Sequence, residues 1–155
     1  MTVQNVFEII NQMAPFNTQM GFDNAGVLIG SQNKKVKKIG VVLDVTCDAV
    51  DYAKEQGMDL IISHHPVIFS GLKSIDRDSV VYRLIQEDIA VISAHNNLDA
   101  AENGVNQILA QVLGLTEIES LGLPGDPTPG MGRIGKISKA MSCETFAQLI
   151  NQKLN

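Results

Sequence analysis

The chain has 155 residues, 45% hydrophobic and 19% charged, with a formal net charge of -5. That composition fits one ordinary globular domain: it is too apolar for a disordered chain, and its apolar stretches fall short of the roughly 20 residues a membrane span needs. The net acidity disfavours non-specific nucleic-acid binding, and the one basic cluster, Lys34, Lys35, Lys37 and Lys38, falls in a turn and reads as solvated surface. No basic segment followed by an apolar run opens the chain, so the expected compartment is the cytoplasm. Cys47 and Cys143 lie far apart with no CxxC spacing, which argues against a disulfide scaffold or a cysteine zinc site.

Val3, Val6, Phe7, Ile10 and Met13 recur at helical spacing until Pro15, which predicts an amphipathic helix of about three turns. The glycine-punctuated stretch 21–30 predicts a turn leading into a short strand, and Asp23-Asn24 within it reads as an Asx-type turn. A β-branched run at 39–43, closed by Asp44, predicts a strand. Thr46 or Asp48 can cap a helix running to Gln56, with Gly57 as its left-handed stop. Residues 59–63 read as a buried strand ending at His64-His65-Pro66, where a proline without an N–H turns the chain into a loop. A helix over 78–87, a strand over 89–94 and a helix over 103–113 follow. Strand and helix patterns alternate, the signature of an α/β fold with a mostly parallel or mixed sheet flanked by helices.

Three prolines and three glycines at 122–130 are too many for a regular element. The expected organisation is an α/β lobe over 1–121, a linker or loop over 122–131, and over 132–155 a strand (132–137) and a helix opened by Ser142 that begin a second, incomplete lobe.

All three histidines, together with Asp44 and Asp99, stand just after predicted strands. In open α/β sheets ligands bind outside the C-terminal strand ends, so His64, His65, His95, Asp99 and Asp44 are placed to converge. Imidazole nitrogens with carboxylate oxygens suit zinc, manganese, iron, cobalt or nickel better than magnesium or calcium. Adjacent histidines in a loop can address two different ions, the logic of a two-metal hydrolytic site. Taken alone, His-His-Pro is also compatible with a surface turn or a satisfied core pair, and 95–99 with a polar loop. Residues 26–30 lack the Gly-Lys-Ser/Thr of a phosphate loop, and Cys47 reads as an inert buried thiol.

The segments Phe22-Asp23-Asn24-Ala25-Gly26-Val27-Leu28-Ile29-Gly30, Asp59-Leu60-Ile61-Ile62-Ser63-His64-His65-Pro66 with Phe69, Ala94-His95-Asn96-Asn97-Leu98-Asp99 and Gly132-Arg133-Ile134-Gly135, in this order, resemble the NGG-interacting-factor-three-like family of dinuclear-metal proteins, whose members carry the name GTP cyclohydrolase type 2 homologue. The resemblance implies metal ligation by His64, His65 and Asp99, with His95 as a catalytic pocket residue that orients or protonates. It implies two interlocked α/β lobes, assembly into ring-shaped homohexamers and two divalent metals per subunit. In the family a later His, and a Glu four positions beyond it, complete the second metal site; no histidine follows His95 here, so the chain matches the N-terminal part of the pattern, either as a piece of a longer protein or as a short natural form, and in both cases at most one ion is expected on it. Asp44 and Glu102 are the first substitutes to consider should two ions bind. The function implied is metal-dependent hydrolysis through an ion-activated water, acting on a small molecule such as a purine nucleotide. The alternative is a non-catalytic metal-binding or regulatory interaction protein, distinguished by a closed rather than an exchangeable ligand shell.

Overall fold

The computed structural model describes residues 1–122 and 130–154, and the chain divides into two compact units, Met1–Leu98 and Asp99–Asn155. Most of the expected linker, residues 123–129, lies outside the described residues.

In the first unit, helix α1 (Val3–Met13) begins at Thr2, whose hydroxyl accepts the Asn5 amide while the Asn5 side chain accepts the Thr2 amide. This reciprocal cap satisfies two N–H groups that the first turn leaves without helical partners. Four strands follow: β1 (Gly26–Ile29), β2 (Ile39–Val42), β3 (Leu60–Ser63) and β4 (Ala90–Ser93). They form one mixed sheet in the order β1-β4-β3-β2, with β2, β3 and β4 parallel and β1 antiparallel at the edge. Helix α2 (Cys47–Glu55) links β2 to β3, and α3 (Val80–Gln86) links β3 to β4. Thr46 caps α2 through its hydroxyl, and Gly57, at φ +62°, supplies the expected left-handed stop.

Alternation along the strands sends side chains to two separate cores. Leu60, Ala90 and Ile92 pack with Val3, Val6 and Phe16 on the α1 face. Ile61, Val91 and Ile29 pack with Val50, Ala53 and Leu84 on the face covered by α2 and α3. A sheet buried on both faces explains why β3 and β4 read as continuous apolar runs. Gly30 just after β1 has two reasons to be glycine: φ is +93°, and a Cβ there would stand 2.8 Å from that of Ala90.

The second unit opens in the short helix α4 (Asn96–Ala100), which starts in the first, and continues through α5 (Val105–Val112), β5 (Leu115–Leu121), β6 (Gly132–Ile137) and α6 (Cys143–Leu154). Strands β5 and β6 pair antiparallel, and α5 packs against both. The Arg133 guanidinium donates to the carbonyls of Ala100 and Ala101 at 2.8 and 2.9 Å, closing the end of α4 onto β6. The strand and helix expected over 132–137 and from Ser142 are β6 and α6. Among the described residues three elements have no counterpart in the sequence reading: a single 3-10 turn at Phe16–Thr18, α4, which covers an expected polar loop, and β5. Among the described residues no helix is long and apolar enough to cross a membrane.

Candidate metal centre

The topology of the first unit gathers its functional side chains at one sheet edge. Because β2, β3 and β4 run parallel, Asp44, His64-His65 and His95, which follow them, emerge at their shared C-terminal end. Because β1 runs antiparallel to β4, with Gly26 opposite Ser93, the segment preceding β1 arrives at the same edge and brings Asp23 and Asn24 with it.

The backbone there is tightly held. The amides of His64 and His65 donate to the carbonyls of Val42 and Leu43, carrying the β2–β3 ladder past the strand end. Two buried serines brace the turn: the Ser63 hydroxyl donates to the His65 carbonyl at 2.9 Å, and that of Ser93 to the His64 carbonyl at 3.1 Å. Asn97, fully buried, accepts the His95 amide at 2.9 Å and donates to the Ala14 carbonyl at the end of α1 at 2.7 Å. Such satisfied buried polar groups fix a single arrangement of the loop.

On this frame His64, His65 and His95 form one cluster. Their rings stand 5.1 to 5.7 Å apart by centroid, and one candidate ligand atom from each lies within 4.8 Å of the others. Each Nδ1 has an acceptor. That of His64 meets the Ala94 carbonyl at 3.0 Å, that of His65 meets Asp44 at 2.7 Å, and that of His95 meets Asp23 at 2.8 Å. An imidazole donating from Nδ1 carries its lone pair on Nε2, so all three rings adopt the same tautomer. A metal-binding histidine needs this arrangement, in which a carbonyl or carboxylate fixes the ring through the nitrogen that does not bind. Three neutral imidazoles suit zinc, copper, iron or nickel, and the cluster therefore fits a transition metal by its chemistry.

The two carboxylates differ. Asp44 is 57% exposed, whereas the Asp23 side chain is 0% exposed. Burial alone would raise the Asp23 carboxyl, but the His95 hydrogen bond, the Asn24 and Asn96 amides and the His95 charge outweigh it and hold the group below its ordinary value of 3.8. Phe69 sets its ring edge-on to His95, with centroids 6.4 Å apart, and its loop is tied to the segment before β1 by the Asn24 side chain donating to the Ile68 carbonyl.

Of the residues expected to carry the chemistry, the structure brings together His64, His65 and His95, with Asp44 hydrogen-bonded to the group. Asp99, on α4, is the first residue of the second unit. Asp23, read from sequence as a turn residue, is instead the buried partner of His95, 72 positions away. Its only signal was its place inside the first of the resembling segments.

A family model described as Duf34/NIF3 (NGG1p interacting factor 3) matches residues 1–155. A Clostridium perfringens protein named GTP cyclohydrolase 1 type 2 homolog is 35% identical over 159 residues, covering 99% of this chain and 61% of its own length. A Bacillus subtilis protein of the same name is 43% identical over 122 residues, covering 76% and 33%. The crystal structure of Staphylococcus aureus hypothetical protein SA1388 superposes with a TM-score of 0.86 at 29% identity, over all of this chain and 65% of that one. The chain thus spans less than two thirds of each of these relatives. With the family model matched from the first residue to the last and the fold shared along the whole chain, the protein belongs to the DUF34/NIF3 family.

Proposed function

We propose that this chain carries the histidine part of a transition-metal site in a hydrolase whose substrate is a purine nucleotide, the class that the relatives' shared name points to. The observation supporting it is the cluster itself: three imidazoles within ligand distance of one another, each with Nδ1 already committed to an acceptor. In this reading His64 and His65 hold the ion, and the family resemblance adds Asp99 as a further ligand. When bound, the metal supplies Lewis acidity and an activated water for hydrolysis. The chain's own residues do the rest. Asp44 and the Ala94 carbonyl orient the two ligand rings. His95, beside them and tied to Asp23, is a proton acceptor at Nε2 rather than a donor, which sharpens the role the sequence alone left between orienting and protonating. The half-exposed Phe69 ring borders the same histidine and offers an apolar surface to a planar base.

The test is turnover of purine nucleoside triphosphates by the metal-loaded full-length protein. Hydrolysis that is lost on chelation, restored by metal and reduced at least 100-fold in His95→Gln with metal content unchanged supports the proposal. Metal that binds tightly without any turnover across the nucleotide set favours the non-catalytic alternative.

A further inference from the structure

We infer that Asp23 is a positioning residue that fixes His95 in the Nδ1–H tautomer and so decides which nitrogen of that ring faces the site. Three donors converge on its two oxygens. Oδ1 accepts from His95 Nδ1 at 2.8 Å and from the Asn24 amide at 2.8 Å, and Oδ2 accepts from the Asn96 amide at 3.1 Å. The two backbone amides can only donate, so both oxygens must be acceptors, and a residue with fewer acceptors cannot satisfy the pocket. The side chain is 0% exposed, so water cannot stand in for a missing acceptor.

This geometry excludes the Asx-turn role. An Asx turn closes on the amide two residues ahead, whereas the long-range partners of Asp23 lie on the far side of the β1–β4 pairing, at 95 and 96. With a carboxylate against it, Nδ1 must carry the proton, because two lone pairs would otherwise face each other at hydrogen-bond distance. Among the described residues the competing donor is the Asn96 side-chain nitrogen, 3.4 Å from the same Nδ1 and so at a much longer distance than the carboxylate. The buried Asn96 Oδ1 has no partner, and a half-turn of that amide would set the oxygen against Nδ1–H instead, reinforcing the same tautomer.

The three histidines are not anchored alike. The His64 anchor is a backbone carbonyl, which no substitution of that residue's side chain removes, and the His65 anchor is the solvent-exposed Asp44. Of these three Nδ1 anchors, that of His95 is the buried side chain. An Asn at position 23 would present an NH₂ either to the Asn96 amide or to the Asn24 amide and His95, and in the second case it would favour the opposite tautomer, the known consequence of replacing a histidine-orienting Asp by Asn.

The functional meaning of this inference rests on the metal-site reading above, but its test is made on metal-stripped protein, so failure of metal binding leaves it standing. The experiment is long-range ¹H–¹⁵N correlation of the imidazole nitrogens in the ¹⁵N-labelled full chain after treatment with EDTA, at about pH 8.5, above the ordinary imidazole range. The His95 signals are identified by their absence in His95→Gln. The expected wild-type pattern is a pyrrole-type Nδ1 and a pyridine-type Nε2 for His95. In Asp23→Ala, which removes both acceptor oxygens, that pattern is lost to the opposite tautomer or to a mixture, while the His64 and His65 signals keep theirs. Should Asp23→Ala fail to fold, Asp23→Ser removes the carboxylate without adding an amide donor and is read in the same way. A wild-type His95 protonated at Nε2, or an unchanged His95 tautomer in a folded Asp23 variant, overturns the inference.

Discussion

A histidine after a strand is easy to see in a sequence; what holds its second nitrogen is not. His64, His65 and His95 were legible because each ends an apolar β-branched run, and parallel strands bring such ends together. Asp23 was not, because the pairing that carries it to His95 is antiparallel and joins segments about 70 residues apart. A second carboxylate illustrates the same limit. Asp59, just before β3, accepts the amides of Lys37 and Lys38 on one oxygen, at 2.8 and 3.0 Å, so the lysine turn that reads as plain solvated surface is held from below. Those two backbone hydrogen bonds, assisted by the charges of Lys34 and Lys37, set the Asp59 carboxyl below its ordinary 3.8. A carboxyl lowered by folding contributes stability that is present above its unfolded-state value and is lost as pH falls through the folded one. Asp59→Asn keeps an oxygen acceptor but removes the charge. It is therefore expected to lower the urea midpoint at neutral pH, with the gap from wild type closing as the pH drops below the carboxylate range. A gap of constant size from pH 7 to 3 would show that the charge contributes nothing.

Elements were legible where their apolar period was unbroken. Helices α1, α2, α3 and α5 and all four strands of the mixed sheet lie within a residue or two of the expected spans. Strand β5 fails that criterion for a visible reason. Its register slips between Thr116 and Glu119, and Glu117 takes φ +50°, so the half-buried residues Leu115 and Ile118 fall three apart rather than two. Helix α4 has five residues, too few for any helical period to show. Asn97, its second residue, ties it down: one side chain bridges the end of α1 and the exit of β4. Asn97→Ala would leave a buried carbonyl and a buried amide without partners, at a cost on the order of 1–3 kcal/mol for each. The expected result is a loss of about 2 kcal/mol or more in denaturant unfolding, together with broadened His95 signals. A loss under about 0.5 kcal/mol, ordinary for a surface site, would contradict the bridging role.

For the whole molecule, the family was legible because its motifs sit at the strand ends that build the site, spaced by the α/β units between them. The lobes expected over 1–121 and 132–155 rest on the proline- and glycine-rich stretch between them, and the chain forms two compact units over 1–98 and 99–155. All three clustered histidines belong to the first of these units, and the account's central claim is that this chain binds a transition metal through two of them, His64 and His65. Two imidazoles with one further ligand supply at most three of the four to six positions an ion takes and cannot close two shells. Neutral imidazole is the ligand form, so the measurement belongs above the range where free imidazole is protonated, about 6.5. It is metal content per chain by elemental analysis at about pH 8, after equilibration with zinc or cobalt and brief dialysis, for the wild type and for His64→Ala/His65→Ala. The account predicts binding that saturates at one ion per chain in the wild type and disappears in the double variant while its circular dichroism is retained. Equal metal in the two folded proteins, or none in the wild type, would contradict it.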